Sequence, residues 1–157
     1  MRPLTRSAAA LATLTLVACE TGGPPPADPQ RVVNERVAIM KSLGAALAAT
    51  AAFTQSKGQP ADAQAKLGLA RKNVERVPDM FPRGTALGDK GVANSRALTT
   101  IFANRNDFDN KASALQARLA ELEAAVAKGT KADATTALAS TKAACAACHT
   151  KYRAADE

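Results

Sequence analysis

The sequence predicts an all-α fold: a four-helix antiparallel bundle. Three observations carry this reading. Apolar residues recur at spacings of three and four from about residue 31 to residue 154. Pro and Gly punctuate that period between segments. Strand formers are scarce, with aromatic residues at 3% and no Trp, which excludes a β-sandwich or barrel. The length of 157 residues allows one domain. The apolar fraction of 46% and net charge of +7 place the chain outside the disordered class.

Residues 1–18 read as an export signal. Arg2 and Arg6 supply a positive start, and Ser7 to Val17 is apolar and too short to span a bilayer. The run Leu16-Val17-Ala18-Cys19 resembles a lipobox, in which the chain is cut before Cys19 and that Cys is acylated. Ordinary cleavage with a free Cys19 is the alternative. Residues 19–30 form a Pro- and Gly-rich spacer, extended rather than helical. The bundle domain then covers 31–157. Removing Arg2 and Arg6, with no acid lost, leaves a mature charge of +5. There are no basic runs and no interleaved aromatics, so nucleic acid is rejected as a partner. The mild basic excess suits an acidic redox partner, or is simply a solvated surface.

Segment A, about 31–56, carries a stripe of Val33, Val37, Met40, Gly44, Leu47 and Ala51. Segment B, about 60–78, carries Ala63, Leu67, Ala70, Val74 and Val77, opened by Pro60 and ended by Pro78 and Pro82. A long join, Asp79 to Arg105, follows, with further helical turns expected between Ser95 and Ala103. Its length suggests that it covers something. Segment C, about 106–128, carries Phe108, Ala112, Leu115, Leu119, Leu122 and Val126. Asn106 or Asp107 is expected to cap its start, and Gly129 to follow its end. Segment D, about 131–154, carries Leu138, Thr141, Cys145, Cys148 and Tyr152, with Thr130 and Asp133 arranged as a capping box. Short joins between sequential helices give antiparallel neighbours.

The chemistry lies in segment D, at Cys145-Ala146-Ala147-Cys148-His149. C-x-x-C-H is the c-type haem attachment motif. Residues three apart share a helix face, so two thiols can form thioethers to one haem. His149, the one His of the chain, then presents a ring nitrogen to the iron. A dithiol redox site would need a βαβ context, and a closed zinc site needs four ligands. Neither condition is met in the sequence, although the exported compartment permits a disulfide.

From these residues the chain resembles class II cytochromes c, the cytochrome c′ and cytochrome c-556 family, here as a bacterial lipoprotein. The resemblance covers about 31–154. It rests on Cys145 to Arg153, with support from Arg36 to Gly44 and Met80 to Thr85. It implies a four-helix bundle with one haem c bound covalently near the C-terminus, in the periplasm and anchored through Cys19. Relatives place Arg near the haem propionates, which nominates Arg36 and Arg153. Many relatives dimerise through their first two helices.

Electron transfer is the expected function, and gas binding is the alternative. The first uses a six-coordinate haem with His149 and Met40 as axial ligands. The second is binding of nitric oxide or another small gas by a five-coordinate haem. Relatives of the c-556 branch ligate iron with a Met at this place, while some cytochromes c′ carry a Met there that does not bind. Met40 sits on the segment A stripe. It lies about 9 residues from the start of A, against about 5 from the end of D for His149, a height difference of roughly 6 Å. No catalytic dyad or second cofactor motif is visible, so no enzyme activity is expected. A core rich in Ala and Gly with space for a porphyrin would leave a costly cavity without it, so the haem-free chain is expected to be partly unfolded.

Overall fold

The computed structural model describes residues 25–155; the expected signal and Cys19 lie outside the described residues. Helix α1 runs Pro29–Thr54 and α2 Pro60–Val74. A short 3-10 turn, Pro78–Met80, follows. Helix α3, Thr100–Ala103, is a single turn before α4, Arg105–Ala127, and α5, Lys131–Tyr152. The four long helices pack in a ring: α1 on α2, α2 on α4, α4 on α5, and α5 back on α1. This is the expected bundle, with α1 beginning and α5 stopping at the same end of it.

Helix α1 starts two residues before the expected boundary. Asp28 accepts the Arg31 backbone N–H at 2.9 Å, and Pro29 at the first position loses no helical bond. Two expected N-terminal caps are corrected. Helix α4 begins at Arg105, ahead of Asn106 and Asp107; the flanking Asn104 turns its amide back to Thr100 O at 3.0 Å. Thr130 flanks α5 without a side-chain bond, so no capping box forms. Gly129 does follow α4 in a left-handed conformation, φ 74°, with its N–H on Val126 O at 3.0 Å.

The stripe of segment C is buried throughout, and so is that of segment B. Segment A differs. Its buried face is Val32, Val33, Arg36, Ile39, Leu43, Ala46, Ala49, Thr50 and Phe53. Of the expected stripe only Val33 is buried; Val37 is 38% exposed, and Met40 and Leu47 are partly buried. An Ala-rich helix is apolar on more than one face, and the second face here lines a cleft.

The join between the 3-10 turn and α4 is tied to both ends of the bundle domain. Gln30 Nε2 donates to Ala93 O at 3.3 Å and its Oε1 accepts from Ala93 N at 2.6 Å, a side chain acting as a backbone partner. Ala97 pairs with Arg153 in an isolated antiparallel bridge. Around it Leu98 N donates to Tyr152 O at 2.9 Å and Ala154 N to Arg96 O at 2.8 Å. The join therefore wraps the end of the bundle where α1 begins and α5 stops.

Candidate functional site

At that end a cleft of about 530 Å³ opens between α1 and α5. That is within the usual size of a cofactor pocket. Apolar side chains dominate its walls, among them Leu43, Leu47, Phe81, Phe108 and Leu115. Phe108 sits at the base, 1% exposed, edge-on to Phe81 at 4.8 Å and to Tyr152 at 5.3 Å.

Every residue nominated for the haem lines this one cleft: Arg36 and Met40 from α1, Cys145, Cys148, His149 and Arg153 from α5 and its exit. Cys145 and Cys148 are free, half-buried thiols one turn apart. Burial pushes both up from the usual thiol range, so they stand protonated at neutral pH. His149 is pushed down by burial and by the neighbouring Arg153 cation, which favours the neutral imidazole that binds metals. The donor set thus fits a haem: two thiols on one face, a neutral imidazole next to them, and a thioether on the wall supplied by α1. Among the described residues Met80, the other methionine, is absent from this lining; Arg76 Nη2 approaches its sulfur at 3.9 Å.

With the observed helix bounds, Met40 lies deeper than expected. It is 11 residues into α1, and His149 is 3 residues from the end of α5. Helix ends that were flush would put these about 12 Å apart in height. Both nevertheless belong to the same cleft.

Arg36 is 6% exposed. Its Nε donates to Met80 O at 3.0 Å, Nη1 to Thr85 O at 3.2 Å and Ser95 Oγ at 3.3 Å, and Nη2 to Thr85 Oγ1 at 2.6 Å. A guanidinium has five N–H groups, so at most one remains for a propionate. Burial lowers Arg36 to about 10, which still leaves it cationic at neutral pH. Its main work is to hold the join that builds the cleft wall at Asn94 to Ala97.

The sequence reading expected the join to cover something but named no residue of that wall, and it missed Lys111 and Tyr152 as site residues. Tyr152 stood on the expected stripe, four residues after Cys148. Its hydroxyl donates to Asp107 Oδ2, which also takes Lys151 Nζ at 3.0 Å. These bonds fix the end of α5 against the start of α4.

The profile of the Cytochrome C' family matches residues 31–153. The chain belongs to the cytochrome c′ family. A cytochrome c-556 of Agrobacterium tumefaciens (strain II Chrys) is 35% identical over 125 residues, covering 77% of this chain and 95% of that protein. A cytochrome c-554 of Cereibacter sphaeroides is 29% identical over 133 residues, covering 81% and 96%. Among solved structures, cytochrome c′ from Thermochromatium tepidum superposes with a TM-score of 0.72 at 26% identity, covering 82% of this chain and all of that one. The cytochrome is therefore a class II c-type cytochrome that binds haem c covalently, and C-x-x-C-H at 145–149 is the matching motif.

Proposed function

We propose that this cytochrome is an exported electron carrier, anchored to the membrane through acylated Cys19, with His149 and Met40 as the two axial ligands of its haem. The single observation that carries the ligation is the shared cleft: Met40 on α1 and His149 on α5 line it together. When bound, the haem supplies a one-electron ferric–ferrous couple. The chain's own residues do the rest. Cys145 and Cys148 hold the group by thioethers. His149 offers a neutral imidazole. The Met40 thioether favours the reduced form, and so does the excess of cations around the cleft. Leu43, Leu47, Phe81 and Leu115 keep water from the centre. Among the described residues lining the cleft none is Asp or Glu. A carrier of this kind needs no substrate pocket and no catalytic base, so enzyme activity is not part of the proposal.

The ferric visible spectrum tests the ligation. A low-spin spectrum with a sulfur-to-iron band at the red edge, lost in Met40→Ala, is expected. A high-spin spectrum at neutral pH overturns it and moves the function to gas binding by a five-coordinate haem. A solved nitric oxide complex of a cytochrome c prime mutant from Alcaligenes xylosoxidans shares the fold, at 22% identity and a TM-score of 0.70. That likeness concerns the fold alone. The chain is also proposed to pair with a second copy through α1 and α2, where Leu69 is 55% exposed. Sedimentation at high concentration checks this.

A further inference from the structure

Among the described residues two that are not Gly have a left-handed backbone, Ser56 at φ 60° and Asn94 at φ 59°. Ser56 is accounted for by its place. It follows the end of α1, where its N–H reaches Phe53 O at 3.1 Å, and a left-handed residue is a common way out of a helix. Asn94 ends no helix. It lies in the join, exposed to solvent, and lines the haem cleft.

Its neighbours hold it in that conformation. Ala93 is clasped by Gln30 through both its N–H and its carbonyl. On the other side Ser95 Oγ donates to Thr85 O at 2.8 Å and accepts from Arg36 Nη1 at 3.3 Å. With one residue pinned before it and one after, Asn94 has little freedom to relax to negative φ. Asn tolerates the left-handed region better than most side chains, commonly by bonding nearby backbone. Here its carboxamide bonds none of the described residues. A strained, pinned residue with an unused polar group on a cofactor cleft is the kind of outlier that marks function.

The cleft must also receive charge, because haem carries propionate carboxylates. Most polar side chains of the lining are already committed. Arg36 has at most one N–H left, and the Ser95 hydroxyl is given to Thr85. Lys111 and Tyr152 both face Asp107. Arg96 donates to Ala154 O at 2.7 Å, and Arg153 also has a partner. Asn94 on the join and Lys41 on α1 remain. A lysine reaches a carboxylate from many positions, whereas the pinned carboxamide presents its N–H in one place.

We propose that Asn94 is a haem-binding residue: its side-chain amide donates to one propionate at the exposed rim of the cleft, the role first expected of Arg36. A bond from an amide to a carboxylate is charge-assisted and stronger than one between neutral groups. The inference rests on haem binding and not on ligation by Met40.

Gly, Asn and Asp all accept positive φ, so Asn94→Gly and Asn94→Asp in the full haem-loaded protein separate the bond from the turn. A residue serving the turn alone would leave the haem unaltered in Asn94→Gly, with a melting temperature the same or higher. The expected result is different. The propionate bending band in the resonance Raman spectrum moves to lower frequency in Asn94→Gly. The reduction potential falls as well, since a less compensated carboxylate favours ferric iron. Asn94→Asp sets a second carboxylate beside it and lowers the potential further. Bands and potentials equal in all three proteins overturn the proposal. A potential that moves while the band stays fixed also overturns it, because a distant charge effect then suffices. The band is read in either spin state, so a high-spin ferric spectrum would sink ligation by Met40 and leave the role of Asn94 standing.

Discussion

The Arg36 guanidinium lies 4.1 Å from the centroid of the Phe81 ring and bonds three residues of the join, Met80, Thr85 and Ser95. One buried cation thereby connects the first helix to a wall of the haem cleft. Arg36→Leu removes the cation and leaves Met80 O and Thr85 Oγ1 without their donor. It is expected to cost about 3 kcal/mol of stability, and Arg36→Lys less, since it keeps the charge but not the fork. Urea unfolding followed by circular dichroism reads both. The reduction potential is expected to move in the Leu variant as the wall shifts and a positive charge is lost.

Stability in acid reports on Asp107. Hydrogen bonds from Tyr152 and then Lys151 hold its carboxyl below the usual carboxylate range. A depressed folded value means that the contribution is present above the unfolded value, near 3.9, and lost as pH falls through the folded value. The melting temperature of the haem-loaded protein is therefore expected to fall more steeply below about pH 4 in the native chain than in Asp107→Asn. Parallel curves for the two would refute this role.

Two glycines in the join separate backbone strain from contact. Gly84 and Gly88 both have positive φ, 81° and 84°. A Cβ at Gly88 meets nothing within 4 Å, whereas one at Gly84 strikes Pro25. Gly88→Ala is expected to cost about 1 kcal/mol from conformation alone, and Gly84→Ala more, with the excess removed by deleting the residues before Asp28. Thermal melts of the four proteins give the comparison.

Loss of the covalent haem should loosen the bundle at one end. The double variant Cys145→Ala, Cys148→Ala cannot form thioethers. Its α1 face of Val37, Met40 and Leu47 then has an open cleft for a partner, an apolar surface left to water. Lower helicity and a smaller urea slope than the haem-loaded protein are expected. A fully protected, native-like amide exchange pattern would count against it.

The all-α class, the order of the helices and the attachment motif were legible because each is written locally. The period of α4, from Phe108 to Val126, is buried as read. The face of α1 was misread because Ala at so many positions blurs which stripe is apolar: Ile39, Leu43 and Phe53 form the core, while Val37 and Met40 look into the cleft. The two expected N-terminal caps failed because short polar residues were available at several neighbouring positions. The role of Arg36 was illegible for a different reason. Its partners lie 44 to 59 residues away, and three of its four bonds go to oxygens of Met80 and Thr85, two of them backbone carbonyls that look alike in every sequence.

The bridge between Ala97 and Arg153 bears on timing. It connects the last stretch of the join to residues that follow His149. The two faces of the cleft come from opposite ends of the chain, α1 from the part made first and α5 from the part made last. The wall cannot be stitched until the final residues have arrived. Contacts so distant in sequence close slowly. The two cysteines consequently arrive on an α5 that is not yet stitched, and the stitch closes behind whatever is joined to them.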